Sequence, residues 1–145
     1  INNEIGNILD VKSVSEICEK HNAYFHSDAV QAVGHYPIDL SSLNIDFLTS
    51  AGHKFHGPKG VGFTYINKST KIKSFICGGP QERGLRAGTE SVHNIVGMTK
   101  ALEISIQNLD KEIEHVKNVL SSRSSSGNSR NNPLSFDNLS NDSLM

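Results

Sequence analysis

Residues 50–62 read Ser50-Ala-Gly-His-Lys-Phe-His-Gly-Pro-Lys-Gly-Val-Gly62, and this run decides how the rest of the chain is read. It places Lys54, Lys59, His53 and His56 among glycines, directly after a strand-like stretch, Ile45–Thr49. Glycines let a backbone pass close to a ligand. In an open α/β sheet, ligands bind in the crevice beyond the carboxyl ends of the strands. A lysine on this turn therefore reaches towards that crevice. A neutral lysine amine condenses with an aldehyde, and desolvation or nearby positive charge favours the neutral form. On residue order alone Lys54 and Lys59 are both candidates, and a solvated surface lysine is the plain alternative. Other ligand loops do not fit. The Gly-x-x-x-x-Gly-Lys-Ser/Thr order is absent, so a phosphate-binding loop of that type is not expected. Gly57, Gly60 and Gly62 do not give G-x-G-x-x-G. His53 and His56 have no third ligand nearby in the sequence, so no metal is expected.

Outward from this run the patterns alternate. Upstream, Val11–Lys20 places Val14, Ile17 and Cys18 at helical spacing, with Asp10 as the N-cap. Ala23–Asp28 reads as a short strand ending in polar groups, and Ile45–Thr49 as a second. Downstream, Val61–Ile66 is a third, rich in β-branched and aromatic residues, and Ile72–Ile76 adds one more short strand. Helix and strand patterns alternating at this spacing predict an α/β sheet with crossovers.

Gly78-Gly-Pro-Gln-Glu-Arg-Gly-Leu-Arg-Ala-Gly-Thr89 holds too many breakers for a regular element. A long helix follows, from about Ser91 to Leu120. Leu102, Ile106, Leu109, Ile113, Val116 and Leu120 form a narrow apolar stripe along it. That stripe packs either on the helix's own domain or on a second copy. From Ser121 the composition is nearly all Ser, Asn, Gly and Arg, too polar to offset chain entropy, which predicts a disordered tail. The expected organisation is thus residues 1–90, 91–120 and 121–145.

Composition narrows the function further. The 145 residues carry 14 basic and 15 acidic side chains, which leaves no electrostatic footprint for nucleic acid. No apolar run approaches the roughly 20 residues that span a bilayer, and no signal-peptide pattern opens the chain. No membrane partner is expected. Trp is absent, which argues against a stacking platform for single strands. Cys18 and Cys77 form no C-x-x-C pair and read as reduced thiols.

Two further clusters bear on the Lys54 run. In His26-Ser-Asp-Ala-Val-Gln31, a regular strand puts His26 and Asp28 on one face. An aspartate there either caps the next turn or sits against a cofactor's ring nitrogen. Asn2-Asn-Glu-Ile-Gly6 by itself says only that the chain turns.

Taken in order, these segments and the Gly78–Thr89 run resemble the cysteine desulfurases, which belong to the pyridoxal phosphate (PLP)-dependent class V aminotransferase group. The resemblance runs from Ile1 to about Leu120. It implies an α/β fold that is part of the large domain of the PLP-dependent transferases of type I. By resemblance Lys54 carries PLP covalently and shuttles protons, and Asp28 pairs with the ring nitrogen. Gln31 and Asn3 hydrogen-bond the cofactor's phenolic oxygen or hold its neighbourhood, and His53 donates to the phosphate. Thr89 reaches the phosphate of the partner subunit's cofactor, so the segment around Arg83 and Arg86 lies at a homodimer interface.

One position departs from the pattern. Many relatives have Ser three residues before the lysine, where this chain has Ala51, and Ser50 points the other way if the strand is regular. Neither Cys18 nor Cys77 matches the family's nucleophilic cysteine. Its loop and the arginine for the substrate carboxylate lie beyond the long helix, and the cofactor-stacking histidine lies before Ile1. The chain, which opens without Met, is therefore expected to be an internal fragment, inactive and aggregation-prone by itself. The intact enzyme would convert L-cysteine to L-alanine. Its sulfur would pass as a persulfide to an acceptor protein for iron–sulfur cluster or thio-cofactor assembly, in the cytoplasm. The alternatives are another class V enzyme, such as a selenocysteine lyase, and a non-catalytic truncated product.

Overall fold

The computed structural model describes residues 1–126. The first helix, α1, spans Val11–Lys20, with Asp10 as its N-cap. The Asp10 carboxylate accepts hydrogen bonds from Ser13 Oγ at 2.6 Å and Ser13 N at 3.1 Å. The hydroxyl bond first, then the backbone N–H, holds this exposed carboxyl below the usual aspartate range. The face that α1 turns inward is Val11, Val14, Ser15 and Cys18, whereas Ile17, expected on that face, is 58% exposed. Ser15 takes its place because its buried hydroxyl is satisfied: it donates to Asn44 O and accepts from Asn44 N.

Three strands form one sheet in the order β1 (His26–Asp28), β2 (Phe47–Ala51), β3 (Gly62–Ile66). β1 and β2 are parallel, with Asp28 opposite Thr49, and β2 and β3 are antiparallel, with Ala51 opposite Gly62. All three lie within or next to the stretches expected from sequence. The parallel pair is joined by residues 29–46, which form turns rather than a crossover helix. Side chains alternate along β2: Leu48 and Ser50 are buried, while Phe47, Thr49 and Ala51 are half-buried on the other face. The core gathers Phe25, Ala29, Ala32, Val33, Ile45, Leu48, Phe55 and Met98.

Ile72–Ile76 is not a strand. A strand needs a neighbour to pair with, and here the Ile76 carbonyl is taken by Ala87 N and by the Ser74 hydroxyl. Phe75 is left 97% exposed.

The second helix, α2, spans Val92–Ser126. Contacts divide the chain after Ile113. Within the first unit α2 buries Met98 and Ser105 and packs Ala101 and Leu102 against the core. The inward row is therefore 98, 101, 102 and 105, and Ile106 of the expected stripe is 59% exposed. A count of large apolar residues skips Ala101 and Ser105, whose small size allows the helix to approach closely. α2 also continues past its expected end at Leu120. The rest of the expected tail, residues 127–145, lies outside the described residues.

Gly34 marks where the turn after β1 meets the Lys54 segment. Its φ is +81°, and a Cβ there would lie 2.7 Å from Phe55 Cβ and 3.3 Å from Ser105 Cβ. Gly60 has the same φ of +81° with nothing within 4 Å. In urea melts Gly60→Ala should cost about 1 kcal/mol for the left-handed backbone alone. Gly34→Ala should cost at least about 1 kcal/mol more, because overlap adds to strain. Equal losses would show that the Gly34 contact relaxes freely.

Candidate active site

β2 ends at Ala51 and runs directly into a 3₁₀ turn, Gly52–Phe55, which carries His53 and Lys54. The turn is held on several sides. Phe55 is fully buried. Gly52 N bonds Val61 O, and Gly57 N returns to Gly52 O, both at 2.9 Å. His56 closes the turn in the left-handed conformation, φ 67°. Met98 of α2 packs so near Gly52 that a Cβ there would lie 3.1 Å from Met98 Cγ. The carbonyls of Lys54 and Phe55 are met by His35 Nε2 at 2.7 Å and Ser105 Oγ at 3.4 Å. On this anchored turn Lys54 is half-buried, while His53 is exposed and Lys59 sits exposed in the loop beyond Pro58. Among the described residues neither lysine ammonium has a hydrogen bond or an ion pair.

Asp28 ends β1 beside the end of β2, and the next backbone N–H, Ala29, bonds Thr49 O at 2.9 Å. Asp28 Oδ1 accepts from Val30 N at 3.0 Å. That is the capping turn, and it leaves Oδ2 without a protein partner among the described residues. His26 shares the exposed face, and its Nε2 is 3.3 Å from Thr49 Oγ1. Gln31 follows in the turn after β1, half-buried. Asp28, Gln31, His53 and Lys54 thus all lie at the carboxyl end of the parallel pair. Ala51 follows Thr49 on that pair's half-buried face, and Ser50 faces the core with Leu48.

Asn3 and Thr89 are not joined to this group by any described hydrogen bond. Asn3 is exposed in a turn closed by Asn2, whose Oδ1 accepts from Glu4 N and Ile5 N, and its own amide bonds Glu4. Thr89 is exposed at the end of the Gly-rich loop. That loop bonds to itself through Gly88 N and Gln81 Oε1 at 3.1 Å and through an exposed Arg86–Glu82 pair at 3.4 Å. Among the described residues no three His, Cys, Asp or Glu side chains form a possible metal site. No helix there is long and apolar enough to cross a membrane.

Sequence reading missed Asp46, His35 and Ser105. Asp46 ties the start of β1 to the turn after β3, accepting from Phe25 N at 2.8 Å and from Thr70 Oγ1 at 2.7 Å. An acid between Ile45 and Phe47, in an otherwise apolar run, was the available signal.

The model of the aminotransferase class V family matches residues 1–125. A cysteine desulfurase IscS of Clostridium botulinum is 51% identical over 118 residues, covering 81% of this chain and 30% of the relative. One from Dictyoglomus turgidum is 52% identical over 115 residues, covering 79% and 29%. Among solved structures, a NifS-like protein superposes with a TM-score of 0.80 at 45% identity, over 86% of this chain and 34% of that one. SspA in complex with cysteine gives a TM-score of 0.68 at 38% identity, over 71% and 30%. The chain belongs to the class V aminotransferase family. Its fold is part of the α/β large domain of such PLP-dependent enzymes, and it spans about 30% of the length of the curated relatives it matches.

The Ser50 hydroxyl is buried without a hydrogen-bond partner among the described residues. Removing an unsatisfied buried group is neutral or favourable. Ser50→Ala should therefore leave stability in urea melts unchanged or raise it by up to about 1 kcal/mol. A clear loss would reveal a partner for that hydroxyl.

Proposed function

We propose that this chain is the Lys54-bearing portion of a cysteine desulfurase, the enzyme that takes L-cysteine to L-alanine and keeps the sulfur as a persulfide. One observation carries the reading. A half-buried lysine without a salt-bridge partner stands on an anchored turn, at the same sheet end as a carboxylate with one unbound oxygen. That donor set fits PLP: an amine for its aldehyde and a carboxylate for its ring nitrogen. The similarity to IscS enzymes and to a cysteine-bound relative supports the substrate.

In this reading Lys54 Nζ would hold the cofactor and, once freed by the incoming substrate amine, would move the proton at the substrate α-carbon. Asp28 Oδ2 would hold the ring nitrogen protonated, and PLP so held would supply an electron sink for that carbon. Gln31 and Asn3 bond or flank the phenolic oxygen, and His53 donates to the phosphate. Ala51 supplies no hydroxyl on that face, so the phosphate is held by fewer donors than in relatives with Ser there. Thr89 serves the cofactor of a partner subunit in a homodimer. Neither Cys18, half-buried on α1, nor Cys77, exposed in the loop after β3, acts as the sulfur-accepting nucleophile. Residues outside this chain complete the reaction, a protein acceptor receives the sulfur, and the enzyme works in the cytoplasm.

Incubating the chain with PLP, reducing with borohydride and mapping the adduct by mass spectrometry tests this reading. The label should fall on Lys54, persist in Lys59→Ala and vanish from this turn in Lys54→Ala. The same preparation should release no alanine from L-cysteine. Label spread evenly over Lys59 and the surface lysines would overturn the assignment of Lys54.

A further inference from the structure

The last carbonyls of a helical turn find no partner within the turn itself. In Gly52–Phe55 two of them are met by side chains from other parts of the chain. Ser105 of α2 approaches Phe55 O, and His35 Nε2 lies 2.7 Å from the carbonyl of Lys54. A carbonyl only accepts, so Nε2 carries the hydrogen. Both the neutral tautomer with Nε2–H and the cation can donate, so the bond does not need a particular charge on the ring. The ring also stands edge-on to His56, the residue that closes the turn, at 6.4 Å between centroids and 82° between planes.

His35 belongs to the segment that starts immediately after Asp28 and contains Gln31. That segment is internally braced. Ala32 N and Val33 N bond Ala29 O, and His35 N and Tyr36 N bond Ala32 O. At Gly34 it presses against Phe55. His35 therefore runs from the braced turn behind Asp28 to the peptide of Lys54. Burial of Phe55 fixes where the Lys54 turn lies. It does not by itself fix how the Lys54 carbonyl is oriented, and the His35 bond does.

We propose that His35 is a positioning residue: its Nε2–H bond to Lys54 O locks the Lys54 peptide onto the segment that follows Asp28, holding the backbones that carry Lys54 and Asp28 in fixed register. The consequence for the cofactor rests on the reading of Lys54 given above, whereas the clamp itself rests on the His35 bond.

The test uses the full chain with His35→Leu, which has no donor, and His35→Gln, whose amide N–H occupies nearly the position of Nε2. The first readout is hydrogen exchange at the His56 and Gly57 amides, both bonded to Gly52 O, with Ala29, bonded to Thr49 O, as the internal reference. His35→Leu should speed exchange at His56 and Gly57 by roughly three- to tenfold, the worth of one net hydrogen bond. Ala29 should stay within about twofold of the parent, and His35→Gln should restore most of the protection. The second readout is the PLP concentration giving half-maximal reducible label on Lys54. It should rise by a similar factor in His35→Leu and recover in His35→Gln.

Unchanged exchange in His35→Leu would overturn the proposal. So would a His35→Gln variant as impaired as His35→Leu, or an equal loss at Ala29, which would mean general destabilisation. If the parent chain takes no label at Lys54, the cofactor reading fails, and the exchange result still decides whether the clamp exists.

Discussion

The parallel pairing of β1 with β2 is the constraint on which the rest depends. It sets Asp28 opposite Thr49, so two turns, one behind each strand, leave the sheet side by side. The first starts after Asp28, the last residue of β1, and carries Gln31, and the second carries His53 and Lys54. Burial of Phe55 between Gly34 and α2 then fastens the second turn onto the first. A ligand crevice at the carboxyl end of parallel strands is a general outcome of such sheets. Here its chemistry is set by which polar groups the two turns leave unpaired.

Local signals made much of this legible. Asp10 before Val11 gave the start of α1 because a carboxylate satisfies a free N–H of the first turn. The three strands showed in short β-rich runs bounded by turn residues, and alternation along β2 separated Ser50 from Ala51 as the sequence implied. What escaped depends on partners far along the chain. Ile72–Ile76 has the composition of a strand but no strand beside it, and its backbone bonds the Gly-rich loop instead. The buried face of α2 includes Ala101 and Ser105, which periodicity of large residues passes over. Asp46 and His35 act through hydrogen bonds reaching 21 and 19 residues away, and neither bond leaves a periodic trace. For the candidate site, Lys54 and Asp28 stood out in the sequence because the segments around them resemble those of the family. His35 did not, because the atom it bonds is a backbone carbonyl.

The structure also shows surface of the kind that larger assemblies cover. Both outer strands, β1 and β3, have one unpaired side among the described residues, and unpaired edges are prone to further pairing. Phe75, Val92 and Val96 stand well exposed. These features accord with a chain that spans about 30% of the length of its relatives. The Gly-rich loop, by contrast, bonds part of its own backbone, at Ala87 and Gly88, through Gln81 and Arg86. One further bond, from Ala87 N to Ile76 O, ties it to the segment before it, and Thr89 stands at its exposed end.

The most direct test of the account is a crystal structure of the chain after reaction with PLP and reduction with borohydride. The account predicts density continuous from Lys54 Nζ into the pyridine ring, with the ring nitrogen within hydrogen-bond distance, about 3 Å, of Asp28 Oδ2. A ring attached at Lys59, or one held at Lys54 with its nitrogen turned away from Asp28, would contradict it.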